Sequence, residues 1–448
     1  MSRKLAGLLG GLVLLLGQLA PALAEQLAFN RTADYPEGGF SSRAVPQEAD
    51  GELLQRARER LEERVRRHAG DNEARLLLGL IHFREGEYSA ALEALDEVAQ
   101  RAPDFQLAHL VRGDLLLSRS RMIAGMGGNG VAAAMEGDDN DLSRSALRAE
   151  ARARLEGYLE SLRTDRVPAA LLRLSRENPV ALLVDKQHNR LYVYERRGDG
   201  RPPRRIRDYY VSTGRARGNK VREGDLRTPE GVYFVQDFLD DGKLPAEYGL
   251  GAFTLDYPNP LDRRQGKTGY GIWLHGTDRR FFSRPPLDSE GCVVLPNLNL
   301  ASLRGAVSRG TPVVIAERLD WIDHEQWRER REAAGQAVEE WRRSWESMAV
   351  DRYLARYDAE FWSPRGGREA WAEHKRRVLA TKTDQTIRLE RRALVAYPEA
   401  AETGAERLVV ARFHQDYDSN NYHGTTDKQL YLRREGDRWS VLYEGPVP

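Results

Sequence analysis

Apolar positions change their spacing several times along the chain, and each change predicts a different kind of element. The first is one short apolar run. Arg3 and Lys4 precede leucine-, glycine- and valine-rich sequence from Leu5 to about Leu19, which ends in Ala20-Pro21-Ala22-Leu23-Ala24. A basic start, a short apolar segment and small residues at Ala22 and Ala24 predict a secretory signal over residues 1–24. A membrane-spanning helix wants about 20 apolar residues, more than this run supplies. Pro36, Gly38, Gly39, Ser41, Ser42 and Pro46 then mark 25–50 as a linker.

Over 51–165 the spacing becomes helical. Ala57 and Ala91, Leu61 and Leu95, Ala74 and Ala108, and Gly79 and Gly113 are each 34 residues apart. With Gly86 and Pro103 at turn and helix-ending places, this resembles about two degenerate tetratricopeptide repeats, continued by a helix near Ser143–Arg163. Such helix pairs stack and offer a concave face, and a plain helical bundle is the simpler alternative. Gly125-Met126-Gly127-Gly128-Asn129-Gly130 satisfies the dinucleotide fingerprint, but no strand precedes it and Asp138, Asp139 and Asp141 follow. It reads as a loop.

From Pro179 the period shortens to that of strands. Ala181–Val184 and Leu191–Tyr194 flank Lys186-Gln187-His188-Asn189, a hairpin signal. Tyr209–Gly214, Thr228–Val235, Gly271–His275 and Thr311–Ala316 continue a mostly β domain over 178–317. A helical linker is expected over 318–340. Helical, charge-laced sequence to about Ala380 and strands at Ile387–Tyr397, Leu408–Tyr417, Lys428–Arg434 and Trp439–Tyr443 then predict an α+β domain over 341–448. The predicted fold class is thus multidomain: an α-helical repeat region, a mostly β domain and an α+β C-terminal domain.

Composition narrows the function. Across 448 residues, 69 Lys and Arg balance 68 Asp and Glu to a net charge of +1, which lacks the basic footprint of a nucleic-acid binder. A single cysteine, Cys292, excludes an internal disulfide and any zinc site built from several thiolates. An unpaired thiol in an exported protein invites a chemical reading.

That thiol follows His275 by 17 residues in GIWLHGTDRRFFSRPPLDSEGCVVLPN. A thiolate is the reactive form of cysteine, and a histidine in hydrogen-bond reach can take its proton and return it to a leaving amine. The imidazole then needs an acceptor on its far nitrogen, for which the Gly276 carbonyl is placed. Gly291 before the thiol lets the Gly291 and Cys292 amides turn toward an oxyanion.

These residues resemble the L,D-transpeptidase (YkuD-like) catalytic domain: H-G-T, a loop, then S-x-G-C, with Ser212-Thr213-Gly214 and Thr228-Pro229-Glu230-Gly231-Val232-Tyr233 in order before them. The resemblance implies Cys292 as nucleophile, His275 as general base and acid, and Gly276 as the orienting acceptor, with no cofactor and no metal. Expected substrate contacts are Ser289, Glu290, Tyr233, Trp273 and Arg279. Two positions depart from the family: Glu290 replaces a usual second histidine, and Val294 a frequent arginine. Arg279, Arg280 and Arg284 are candidate replacement cations for a carboxylate-bearing stem peptide, although exposed loop arginines are commonly just solvated.

The C-terminal pattern resembles a nuclear-transport-factor-like domain, the partner of this catalytic domain in cell-shape L,D-carboxypeptidases. His414, Asp416 and His423 alternate on a strand and loop, which favours a polar surface over a metal site. The resemblance implies an exported, periplasmic enzyme acting on peptidoglycan tetrapeptide stems. The first expectation is an L,D-transpeptidase, with L,D-carboxypeptidase as alternative and a non-catalytic wall-binding scaffold as the rival of another class. A wall-associated protein partner is expected through the repeats or the C-terminal domain, with no nucleic acid and no stable membrane span after signal cleavage.

Overall fold

The computed structural model describes residues 49–118, 138–163, 166–198, 200–398 and 408–448. The expected signal, nearly all of the expected linker, and the Gly125–Gly130 loop lie outside them. Among the described residues no helix is long and apolar enough to cross a membrane.

Among the described residues five helices form the N-terminal layer: α1 Ala49–Arg67, α2 Asn72–Arg84, α3 Tyr88–Arg101, α4 Gln106–Ser118 and α5 Asp138–Leu162. Asp71 starts α2 by accepting from the Ala74 amide at 2.8 Å, which satisfies one of the helix's orphan donors. The 34-residue echo is a packing echo. Ala57, Leu61, Ala74, Ala91, Leu95 and Ala108 all enter one buried cluster.

After the helices come two short strands, β1 Val167–Pro168 and β2 Leu171–Arg173, which the sequence pattern did not suggest. The β domain follows with β3 Val180–Asp185, β4 Arg190–Glu195, β5 Arg204–Tyr210, β6 Thr213–Gly214, β7 Gly231–Asp240 and β8 Gly251–Leu255. It continues through β9 Trp273–His275, β10 Leu287–Ser289, β11 Val293–Val294 and β12 Pro312–Ala316. The expected hairpin is β3–β4, with Leu182 opposite Val193. Eight of these strands make one sheet in the order β11-β9-β8-β7-β12-β3-β4-β5, which places the His275 strand beside the strand that follows Cys292.

The C-terminal layer begins earlier than its sequence suggests. After β13 Trp321–Ile322, helix α6 runs from His324 to Glu346, straight through the segment expected as a helical linker. Trp327, Ala334 and Val338 on that segment are buried in the same cluster as Trp341 and Phe413. Apolar residues recurring along one helix face fixed it to the sheet below. Beyond α7 Val350–Leu354, the region expected as helical to Ala380 contains strands β14 Tyr357–Ser363 and β15 Gly366–Gly367 before α8 Arg368–Leu379. The break falls at Ser363-Pro364-Arg365-Gly366-Gly367, which cannot continue a helix. The four expected strands are present as β16 Gln385–Ala396, β17 Leu408–Ser419, β18 Tyr422–Glu435 and β19 Arg438–Pro446. The seven-stranded order is β15-β14-β19-β18-β17-β16-β2, so a strand from before the catalytic domain completes the C-terminal sheet.

The two sheets share a core. Ala181, Leu183, Val232, Phe234 and Val314 from one join Val395, Val410, Tyr431 and Leu442 from the other in a single buried cluster. A buried ion pair crosses the same interface, Arg412 to Asp256 at 2.7 Å, with the guanidinium 3.3 Å from the Phe234 ring centroid.

Candidate active site

The pairing of β9 with β11 assembles the site. These strands run parallel, with Val293 opposite Leu274 and Val294 opposite His275. Cys292 immediately precedes β11 and therefore sits alongside the start of β9. The loop between them carries β10, which pairs with β6, the Thr213-Gly214 segment, in a small two-stranded sheet of their own.

The turn into Cys292 is tightly specified. Gly291 has φ +130°, and a Cβ there would press on the Arg227 carbonyl at 2.7 Å, so only glycine fits. Ser289 Oγ accepts from the Gly291 amide at 3.1 Å and donates to the Cys292 carbonyl at 2.6 Å. This corrects two expectations. The Gly291 amide is committed to the turn rather than aimed at an oxyanion, and Ser289, 3% exposed, shapes the turn instead of meeting substrate.

His275 is 4% exposed, and its Nδ1 lies 2.6 Å from the Gly276 carbonyl. A carbonyl can only accept, so Nδ1 carries the proton and Nε2 is the free base. Asn297 holds that carbonyl's loop: its Oδ1 accepts from the amides of Leu250 at 3.1 Å and Thr277 at 3.2 Å, and its Nδ2 donates to the Thr277 carbonyl at 2.7 Å. A Cβ on Gly276 or Gly249 would collide with Asn297 Oδ1. Tyr248 covers the imidazole, with ring centroids 4.7 Å apart, and reaches Trp273 at 5.2 Å.

Burial sets the resting protonation. It pushes the Cys292 thiol up to about 11, against the lowering effect of a hydrogen bond from the Trp273 backbone and the Arg284 charge. It pushes His275 down to about 4, aided by Arg284 and opposed by the bond to Gly276. Burial thus disfavours the charged form of each side chain, so the resting pair is neutral. This differs from the thiolate that proximity to a histidine alone suggested, because desolvation outweighs it.

Two pH effects are expected. Iodoacetamide at pH 7 should alkylate Cys292 more slowly than a free thiol of pKa about 8.5, with the rate still climbing above pH 9. The acidic limb of kcat/KM should fall near pH 4, where His275 becomes protonated, rather than near 6.5. Fast labelling at pH 7 or a limb at 6.5 would contradict this neutral pair.

The remaining expected residues are scattered. Trp273 lies at the site, half-buried against Tyr248, and Glu290 is exposed beside the thiol and opposes its ionisation. Tyr233 is fully buried in the sheet core, its hydroxyl donating to the Glu230 carbonyl at 3.2 Å, so it cannot touch a substrate. Arg279 points away in an exposed ion pair with Asp241, and Arg280 pairs with Asp278 at 2.7 Å. Of the three loop arginines only Arg284 is felt electrostatically at both His275 and Cys292. Tyr248 and Asn297 were not anticipated. Gly249 and Gly276, both too close to Asn297 for a side chain, were the available signal.

Comparison with known proteins fits this geometry. Residues 179–315 match the L,D-transpeptidase catalytic domain (YkuD), and residues 334–445 match the Cds6 C-terminal NTF2-like domain. Bd1075 of Bdellovibrio bacteriovorus is similar at 30% identity and TM-score 0.55, over 63% of this chain and 99% of that one. The helical cell shape determining protein Pgp2 of Campylobacter jejuni is similar at 28% identity and TM-score 0.52, over 63% of this chain and 96% of that one. No curated protein sequence is matched. With a neutral Cys–His pair set on parallel strands and an NTF2-like layer sharing its core, the chain belongs to the YkuD L,D-transpeptidase family, in the branch that carries the Cds6-type C-terminal domain.

Proposed function

We propose that the protein is an exported L,D-carboxypeptidase that trims peptidoglycan tetrapeptide stems through a Cys292 thioester. The observation that carries this reading is the register that sets Cys292 beside the His275 strand, with Nδ1 of His275 tied to Gly276 and Nε2 left as base.

In the proposed reaction Cys292 Sγ attacks the carbonyl of the bond between the third, L-centred and the fourth, D-centred stem residue, while its proton moves to His275 Nε2. Collapse of the tetrahedral intermediate breaks the C–N bond, and His275 returns the proton to the leaving amine of D-alanine. Water, deprotonated by His275, then attacks the thioester. The C–S bond breaks, the sulfur recovers a proton, and a tripeptide stem leaves.

The thioester is common to carboxypeptidase and transpeptidase, and the sequence alone put transpeptidase first. Similarity to a protein that determines helical cell shape, over nearly its whole length, supports water as the acceptor instead. The arginine-poor SEGCVV turn is compatible with either. Export and a periplasmic location rest on the signal-like residues 1–24.

The test is product analysis of disaccharide-tetrapeptide by mass spectrometry, with and without excess of a second stem as amine acceptor. Tripeptide and free D-alanine under both conditions support trimming. Conversion to 3-3 cross-linked dimers would make the protein a transpeptidase.

A further inference from the structure

The helical region grips the loop that separates the two catalytic side chains. Phe282 stacks on Phe105 of the helical layer with ring centroids 3.9 Å apart. Ser283 Oγ donates to Glu150 of α5 at 2.6 Å, and that carboxylate, 1% exposed, also accepts from Arg154 at 2.8 Å. Arg154 in turn lies 4.0 Å over the ring of Tyr210, whose hydroxyl donates to the Arg284 carbonyl at 2.9 Å. Residues 282, 283 and 284 are thus held one after another, two of them directly by the helical layer.

The side chain of Arg284 turns back toward the catalytic pair. Its Nε reaches Thr277 Oγ1 at 3.3 Å and its Nη2 the Glu247 carbonyl at 3.0 Å. Both partners are neutral. Its charge is felt at Asp288 and Asp278, but among the described residues no carboxylate lies within ion-pair distance of it, in contrast to Arg279 and Arg280. A half-buried guanidinium held by neutral acceptors next to a nucleophile is a ready partner for an anionic group on the substrate. A stem peptide offers two such groups near the scissile bond. One is the carboxylate of the leaving D-alanine, and the other a side-chain carboxylate on a diamino acid at the third position.

We propose that Arg284 is a specificity-determining residue that binds a stem-peptide carboxylate beside Cys292, and that the helical region positions it through the Phe105–Phe282 stack and the Glu150–Ser283 hydrogen bond. The inference rests on the stem-peptide reading above. It adds a role for the helices, which lie outside the residues matched by either family domain. More than a third of this chain has no counterpart in Bd1075, although almost all of Bd1075 is covered.

The experiment measures kcat and KM on the full chain with three substrates: disaccharide-tetrapeptide, its C-terminal amide, and its third-residue side-chain amide. Wild type should favour the free acid over one of the two amides by about tenfold or more in kcat/KM, which identifies the carboxylate bound. Arg284→Ala should lose that preference through a raised KM for the acid, and Arg284→Lys should keep part of it as a point charge. Phe282→Ala and Ser283→Ala should weaken the preference with little change on the amide, a split that general destabilisation would not produce. An unchanged acid-to-amide ratio in Arg284→Ala overturns the carboxylate role, as does a wild type indifferent to both amides. Unchanged ratios in Phe282→Ala and Ser283→Ala overturn the bracing role. A wild type that turns over none of the three peptides sinks the proposed function itself, and this inference with it.

Discussion

Cys292→Ala should abolish D-alanine release, and His275→Ala should reduce it by at least about a thousandfold. The two effects should not multiply. A base without a nucleophile has nothing to activate, so the double variant should be no slower than Cys292→Ala alone. Neither change is expected to unfold the protein. The thiol makes only weak bonds, to the Gly271 carbonyl at 3.4 Å and from the Trp273 backbone, and the imidazole one hydrogen bond, to Gly276. The His275 effect should be larger than in an enzyme that rests as a thiolate, because here the sulfur has no charge to attack with until Nε2 takes the proton. Steady-state D-alanine release, with circular dichroism to confirm folding, checks both variants. Retention of more than a tenth of wild-type activity in His275→Ala would mean that another group removes the proton.

The largest effect on stability is expected at the seam between helices and catalytic sheet. Arg190 on β4 is fully buried, with its guanidinium paired to Glu73 of α2 at 2.8 Å and to Asp208 of β5. Arg190→Ala would remove the nearest cation from buried Glu73 and partly buried Asp208, leaving them Arg154 at 3.3 Å and Arg64 at 3.8 Å, and should cost up to about 3–5 kcal/mol, read from denaturant unfolding. Acid dependence supplies a second readout. Burial alone would raise both carboxyls, but the arginines around them hold Glu73 and Asp208 below the ordinary carboxylate range. A depressed folded pKa adds stability above the unfolded value near 4, and that stability is lost as pH falls through the folded value. Wild type should therefore weaken below about pH 4, and Arg190→Ala should show a flatter dependence there. A loss under 1 kcal/mol would mean that the helices and sheet are held by apolar contacts alone.

What was legible in the sequence, and what was not, follows from how local each signal is. The β3–β4 hairpin was readable because two apolar runs flank a polar turn, with Asn189 in the left-handed conformation that asparagine tolerates. The strands of the C-terminal sheet were readable for the same reason. Cys292 and His275 stood out through short motifs around each, and the parallel register that joins them is a consequence of β9 and β11 being neighbours. Long-range partners left no such trace. Leu171 pairs with Val395 across more than two hundred residues, and three residues of strand are too few to show a period. Tyr357–Ser363 hid between charged helices because its exposed Ala359 and Glu360 interrupt the alternation. Asn297 reads from sequence as an ordinary residue after a proline. Only the folded loop shows it clamping the segment whose carbonyl orients His275. Ser289 and Tyr233 sit inside recognisable motifs, which suggested contact with substrate, yet their hydroxyls serve the turn and the core. A motif marks residues that must be kept, and substrate contact is one of several reasons to keep them.

The central claim is that Cys292 carries the acyl group. Its most direct test is rapid acid quenching of protein mixed with disaccharide-tetrapeptide, followed by peptide mapping and mass spectrometry of wild type and Cys292→Ala. A thioester of the disaccharide-tripeptide is expected on the peptide containing Cys292, with D-alanine released in parallel, and neither from Cys292→Ala. An acyl group on another residue, or equal D-alanine release from both proteins, would contradict it.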